Sequence, residues 1–353
     1  MDANALADRL FRNATGTLEL YAVYLGERLG LYRMLADGEA VTSGELAART
    51  GVAERYVREW LEQQAVTGLV EVDDPRADAL ARRYRLPAEH VPVLADEDDL
   101  RYGTPLSIDL VRTARRLAAL VDAYRDGSAP PPIPWEPEGR VTVNRTRFVN
   151  LLGTRWLPAV PDVDARLRAD PPARVADIAC GTGWSSIAMA QAYPKIVVDG
   201  VDLDEDAIAA ARGSAEQVGV ADRVRFSATD AALLPSANRY DLVTIFEALH
   251  DMSRPVATLR TARDLLTDGG TVLVADTRTA EEFTVPASEH ERQAYGWSLV
   301  NCLPGAMDDP DTAATGTIMR PATLRRYATE AGFTEVRVLP IDTDYWRFYQ
   351  LVR

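Results

Sequence analysis

Apolar residues recur at three- and four-residue intervals through TGTLELYAVYLGERLGLYRMLADG, at Leu18, Tyr21, Leu25, Leu29 and Tyr32. This is the period of an amphipathic helix, with more apolar surface than one buried face needs. The next stretch, VTSGELAARTGVAERYVREWLEQQAVTGLVEVDD, predicts a short helix capped by Ser43 and broken at Gly51. A second helix runs from Glu54 to about Thr67, Gly68 closes it, and LVEV reads as a strand. Helix, tight turn, helix and β-wing together predict a winged helix.

Residues 108–125 give another amphipathic helix. The proline-rich DGSAPPPIPWEPEG that follows is incompatible with regular structure and predicts a loop or lid. A helical piece through NRTRFVNLLGTRW then leads to Pro171-Pro172. Beyond Arg174 the pattern changes to short apolar strands alternating with helices: RVADIA, IVVDGVDL, RVRFSAT, YDLVTIF and GTVLVADT. Such alternation predicts βαβ units and a parallel sheet covered on both faces. Residues 278–320 are too long for an ordinary connection and predict a segment that covers a site. The C-terminal TEVRVLP and DYWRFYQLVR suit an antiparallel hairpin on the sheet edge. The domain reading is 1–100 as helical and winged-helix dimerisation domain, 101–170 as connector and lid, and 171–353 as the α/β domain.

At 353 residues the chain is long enough for two domains, and 47% apolar with 26% charged residues is an ordinary globular balance. No uncharged apolar run reaches the ~18–20 residues that span a bilayer, and the N-terminus does not read as a secretory signal. A cytoplasmic protein is expected. Two cysteines, Cys180 and Cys302, lie far apart, which predicts neither a disulfide framework nor a structural metal. A net charge of −14 opposes phosphate backbones and anionic membranes. Glu54, Arg55, Arg58, Glu59 and Glu62 leave the second helix of the winged unit without the positive surface that DNA contact needs. Dimerisation is the expected role of that unit, and a homodimer the expected assembly.

In ADIACGTG, residues 176–183, a strand runs into Gly181-x-Gly183 and a helix. Glycine there lets the main chain approach a ligand, and the helix start supplies unpaired N–H groups. Asp202, about twenty positions on at the end of the second strand, stands where nucleotide-binding α/β units hold ribose hydroxyls. Ser186 occupies the place of the third glycine of a dinucleotide fingerprint, which disfavours a dehydrogenase. Asp230 in SATDAALL can accept from an adenine amino group or simply cap a helix. These residues share the carboxyl edge of the sheet, where open α/β sheets bind ligands.

DIACGTG, GVDLDEDAI, ATDA and YDLVTIFEALHDM resemble the successive motifs of class I S-adenosylmethionine-dependent methyltransferases, over roughly residues 174–277. The resemblance implies a Rossmann-like domain with a seven-stranded mixed sheet and S-adenosylmethionine as cofactor. It implies that Asp177, Gly181 and Gly183 border the methionine part, Asp202 holds the ribose, and Leu203 packs on adenine. Asp230 and the Ala231 backbone read the adenine edge, and Phe246, just past strand four, lies near the sulfonium. A winged helix before such a domain is similar to small-molecule O-methyltransferases of plants and bacteria. YGWSLVNCLP and ATGTIMRPATLRRYATEAGF resemble an actinobacterial group of methyltransferase-like proteins.

The O-methyltransferase pattern places a catalytic His-Asp pair after strand four, which His250-Asp251 matches. The continuation Met252-Ser253-Arg254-Pro255 departs from the family's Trp and Asp-Glu. An imidazole of ordinary pKa near 6.5 could take a hydroxyl proton at neutral pH, and Glu247 could orient it or touch the cofactor's amino group. A structural histidine is the alternative. Tyr295, Trp297, Asn301, Cys302 and Met307 are candidates for the substrate wall, with core packing as the alternative for each, and His290 reads as a surface residue. The expected function is O-methylation of a small-molecule natural product by in-line displacement, without a metal. A cofactor-binding cyclase and a ligand-responsive DNA-binding regulator are the alternatives.

Overall fold

The computed structural model describes residues 1–133, 143–234 and 240–353. Contacts divide the chain into two units, one built mainly from Met1–Ala114 and the other mainly from Arg147–Arg353.

In the first unit helix α1 (Ala3–Arg28) is capped by Asp2, whose carboxylate accepts from the Ala5 N–H at 2.8 Å. Only Val23 and Gly26 of α1 are buried, while Leu6, Leu10, Phe11, Leu18 and Leu25 stay exposed. Helix α2 (Ser43–Thr50) starts with a capping box between Thr42 and Glu45, so the cap is Thr42 and not Ser43. The Ser43 hydroxyl donates instead to Glu54 at 2.6 Å, which ties α2 to the first residue of α3 (Glu54–Val66). Val41–Thr42, Arg83–Arg85 and Glu71–Val72 form a three-stranded antiparallel sheet with Arg83–Arg85 in the middle. Tyr32, Leu35, Leu46, Val57, Leu61 and Tyr84 fill the core beneath it, and the Trp60 indole N–H donates to the Ala22 carbonyl of α1 at 2.9 Å. This is the expected winged helix. On α3, Arg55 pairs with Glu59 and Arg58 with Glu54.

The stretch expected as a connector is divided between the units: α4 (Thr104–Ala114) packs with the first and α5 (Leu117–Asp126) with the second. Residues 134–142, part of the expected lid, lie outside the described residues.

The second unit is built on a seven-stranded sheet. Its strands are β1 (Arg174–Ile178), β2 (Val197–Asp202), β3 (Val224–Ala228), β4 (Tyr240–Phe246), β5 (Leu266–Thr277), β6 (Glu335–Val338) and β7 (Trp346–Val352). The order is β3-β2-β1-β4-β5-β7-β6, parallel except for β7, which runs antiparallel to both neighbours. The chain reverses direction across the sheet at β1, the switch point outside which α/β sheets hold ligands. Ile187, Val198, Phe226, Trp156 and Phe348 fill one of the unit's two cores, and Leu249, Leu259, Leu324, Tyr327 and Phe333 the other.

Helices α6 (Trp184–Ala192), α7 (Glu205–Val218) and α8 (Pro255–Leu265) make the crossovers. Gly200 inside β2 has a packing reason: a Cβ there would lie 2.7 Å from the Phe226 ring, so a side chain would displace the ring. Between β5 and α10 (Pro321–Glu330) lies the expected insertion, carrying α9 (Glu289–Trp297) and a wide π-type turn over Ser298–Cys302. Among the described residues no helix is long and apolar enough to cross a membrane.

Candidate active site

At the end of β1 the chain turns through Ala179 and Gly181, both with positive φ, and Gly183 with φ +79° begins α6. Asp177 lies 1% exposed beneath this turn. It accepts hydrogen bonds from Ser185, Ser186 and Thr244 at 2.5, 2.6 and 2.7 Å. Burial pushes its pKa up, and the three hydroxyl donors pull against that shift. The resemblance placed Asp177 against the cofactor. In the structure it pins α6 to β1 and β4 and shapes the cradle from below, because none of its surface faces outward.

Asp202 ends β2, and its Oδ2 accepts from the Gly181 N–H at 2.7 Å while Oδ1 accepts from the Asp204 N–H at 3.0 Å. The carboxylate thereby holds the glycine turn, and each oxygen keeps a second lone pair. A Cβ built at Gly181 meets nothing within 4 Å, so open space fronts the turn. Leu203 beside it is 73% exposed and presents an apolar side chain to that edge. Asp230 caps a 3₁₀ turn over Ala231–Leu233, its Oδ1 accepting from the Ala232 N–H at 2.8 Å. The open turn, the acidic acceptor and the exposed apolar residue match what a methionine chain, a ribose and an adenine require. The cradle therefore fits S-adenosylmethionine.

Phe246 is the last residue of β4 rather than one past it, and its ring is buried 5.8 Å from that of Phe148 and 6.4 Å from that of Phe348. It belongs to the core directly under the edge. Glu247 follows with φ +51°, a left-handed conformation of order 1–3 kcal/mol above the usual basins. Its N–H donates to the Ala275 carbonyl at 2.7 Å, which fixes the turn against β5. Burial raises the Glu247 carboxyl, with His250 and Arg147 opposing the shift.

His250 is 2% exposed, on a 3₁₀ turn over Leu249–Asp251. Its Nδ1 lies 2.6 Å from Oδ1 of Asp276, and its Nε2 lies 3.3 Å from Oδ1 of Asp251. Burial alone would lower the imidazole pKa, but the Asp276 and Asp251 carboxylates overcome it and hold the value well above the ordinary one. The expectation of an unperturbed imidazole is corrected accordingly. Asp276, itself 1% exposed near the end of β5, was not singled out in the sequence. Its only signal is the acidic residue that closes the apolar run TVLVAD.

The expected wall residues divide. Cys302 is buried close to His250 and Asp251, with its thiol pKa raised by burial. Asn301 is engaged structurally: its Oδ1 accepts from Arg116 at 2.8 Å, and Arg116 also donates to the Val300 carbonyl. The Tyr295 hydroxyl accepts from Arg320 at 3.3 Å, and Arg320 also pairs with buried Glu291 at 2.9 Å. Arg320 thus fastens α9 to the start of α10. Trp297 and Met307 are half-buried. His290 is half-buried too, packed edge-on to Tyr345, so it is not the surface residue expected.

Residues 169–331 match the family described as a methyltransferase domain, and residues 17–96 match that of the Rv2258c-like winged HTH domain. The ubiquinone biosynthesis O-methyltransferase of Nitrosospira multiformis is 27% identical over 47% of this chain and 64% of its own length. The chain thus spans less than two thirds of that relative. Human N-acetylserotonin methyltransferase, solved with S-adenosylmethionine, superposes with a TM-score of 0.68 at 17% identity, covering 100% of this chain and 98% of that one. Mitomycin 7-O-methyltransferase superposes with a TM-score of 0.67 at 21% identity over 99% of both chains. At these identities the superpositions speak to fold.

Sheet order, glycine turn and acidic acceptor define a Rossmann-like class I methyltransferase domain. The chain carries a methyltransferase domain over residues 169–331, preceded in sequence by an Rv2258c-like winged HTH domain over residues 17–96.

Proposed function

We propose that the protein methylates a hydroxyl oxygen of a small-molecule natural product, with His250 as the proton acceptor. The observation that carries this reading is the buried His250–Asp276 pair at the carboxyl edge, at 2.6 Å. Asp276 engages Nδ1, so proton transfer with an acceptor hydroxyl falls to Nε2, which lies 3.3 Å from Asp251 Oδ1. S-adenosylmethionine, when bound, supplies a methyl carbon already activated by its sulfonium. Asp202 accepts from the ribose hydroxyls, Leu203 covers the adenine, and the Gly181 turn borders the methionine chain. His250 removes the hydroxyl proton in its neutral form, so turnover rises with pH toward an imidazole pKa that Asp276 and Asp251 hold above the ordinary value, and the Cys302 side of the insertion closes one wall. Alignment and proton removal are what the protein has to provide.

The partners that fit this reading are a small molecule and a second copy of the chain, met through the exposed apolar face of α1. The acidic balance of the chain supports neither nucleic acid nor membrane as partner and suits the cytoplasm.

A panel of phenolic and polyketide acceptors, assayed for S-adenosylhomocysteine, tests the reaction. His250→Ala is expected to lower turnover about 10²–10⁴-fold with cofactor affinity nearly unchanged. Turnover within about threefold of wild type would make the histidine structural. Product formed without S-adenosylhomocysteine would turn the reading toward a cyclase.

A further inference from the structure

His250, Asp251 and Cys302 bring one imidazole nitrogen, one carboxylate oxygen and one sulfur within 4.8 Å of one another. This mixture of donors is the one zinc-class cations take. The separation of His250 Nε2 from Asp251 Oδ1 is 3.3 Å. A tetrahedral centre with nitrogen and oxygen ligands at ~2.0–2.1 Å spaces them about 3.3 Å apart, so one edge of the polyhedron is already set. The sulfur, bonding at ~2.3 Å, needs about 3.6 Å to each of the other two, a closure of roughly 1 Å from the widest separation.

A second relationship points the same way. Asp276 holds His250 through Nδ1 at 2.6 Å, which turns Nε2 toward the cluster. A carboxylate on the far nitrogen is how metal-binding histidines are oriented and made more basic. Asp251 is about half exposed and offers a way in, whereas His250 and Cys302 are buried. Three protein ligands leave a fourth position open to water.

We propose that His250 Nε2, Asp251 and Cys302 Sγ bind one zinc-class divalent cation. On binding, the Cys302 thiol and the His250 Nε2–H each lose a proton to solvent, so that the sulfur ligates as thiolate and the nitrogen through its lone pair. The cation then occupies the nitrogen assigned above to proton removal, so it inhibits methyl transfer. That consequence rests on the proposed function; the site itself does not.

The test uses the full chain titrated with Co²⁺ alone, without acceptor or turnover, so a failure of the methylation reading leaves its result intact. One equivalent is expected to bind with a sulfur-to-cobalt charge-transfer band in the near ultraviolet and to be displaced by Zn²⁺. Cys302→Ser should abolish the band. Asp251→Asn, on a half-exposed side chain that leaves the core untouched, should weaken binding at least tenfold. Absence of the band in the wild type, or its survival in Cys302→Ser through Cys180, overturns the proposal. Should Cys302→Ser fail to fold, unchanged affinity in Asp251→Asn overturns it as well.

Discussion

Asp276, near the end of β5, holds His250, on the turn after β4, at 2.6 Å between Oδ1 and Nδ1, and both side chains are almost fully buried. The same Oδ1 also accepts from the Thr277 N–H at 2.7 Å, which ties the carboxylate to its own strand. Residues that act as a unit give non-additive losses. Asp276→Ala is therefore expected to lower turnover at least tenfold, and the Asp276→Ala/His250→Ala double variant to be no slower than His250→Ala alone. Steady-state rates of the three variants check this, with cofactor affinity as control. A fully additive double variant would mean that Asp276 acts on something other than the imidazole.

Asp202 gives a second expectation. It stabilises the Gly181 turn through one oxygen and the start of α7 through the other, and the ribose hydroxyls would use the remaining lone pairs. Asp202→Ala should weaken S-adenosylmethionine and S-adenosylhomocysteine by about 1.5–3 kcal/mol each, the range for hydrogen bonds to a charged group. Calorimetry measures it. Undiminished affinity would remove Asp202 from the cofactor site.

The parts of this site that are local in the chain were legible in the sequence, and the parts made by tertiary approach were not. YDLVTIF maps onto β4 residue for residue, because a central parallel strand buried on both faces reads as a near-continuous apolar run. His250 followed from its place after that strand. Its partner did not: Asp251 is adjacent in sequence, yet the short hydrogen bond goes to Asp276 on the neighbouring strand, whose alignment with β4 only the sheet creates. Asp177 and Tyr295 were legible as polar residues in the right segments. Their use by Ser185, Ser186 and Thr244 in one case, and by Arg320 in the other, depends on side chains that spacing does not bring together.

Gly200 and Phe226 couple β2 to β3. A methyl group at position 200 would sit 2.7 Å from the Phe226 ring and 3.0 Å from Ser186 Oγ, and Ser186 in turn holds Asp177 under the cofactor turn. Overpacking of this kind typically costs about 1–3 kcal/mol. Gly200→Ala should lose stability in that range, and adding Phe226→Leu should recover part of it by freeing the volume. Denaturant unfolding of the two variants decides it. A double variant that loses the sum of both separate effects would show that the ring is not what occupies the space.

The last prediction concerns α1. Leu6, Leu10, Phe11, Leu18 and Leu25 are exposed along a helix that buries only Val23 and Gly26, so its apolar residues outnumber what the first unit covers. Apolar surface of that extent on a globular unit marks an interaction face, and a second copy in two-fold symmetry is the simplest partner that can cover it. The alternative partner of a winged helix, DNA, is opposed by α3, where Arg55 and Arg58 are both paired with glutamates. Light scattering is therefore expected to report twice the chain mass at micromolar concentration. Leu10→Glu with Phe11→Glu should shift the protein to a monomer without lowering the stability of either unit, because both side chains are exposed within the protomer. A monomeric wild type, or tight sequence-specific DNA binding in a gel-shift assay, would overturn this reading and return the winged helix to a nucleic-acid role.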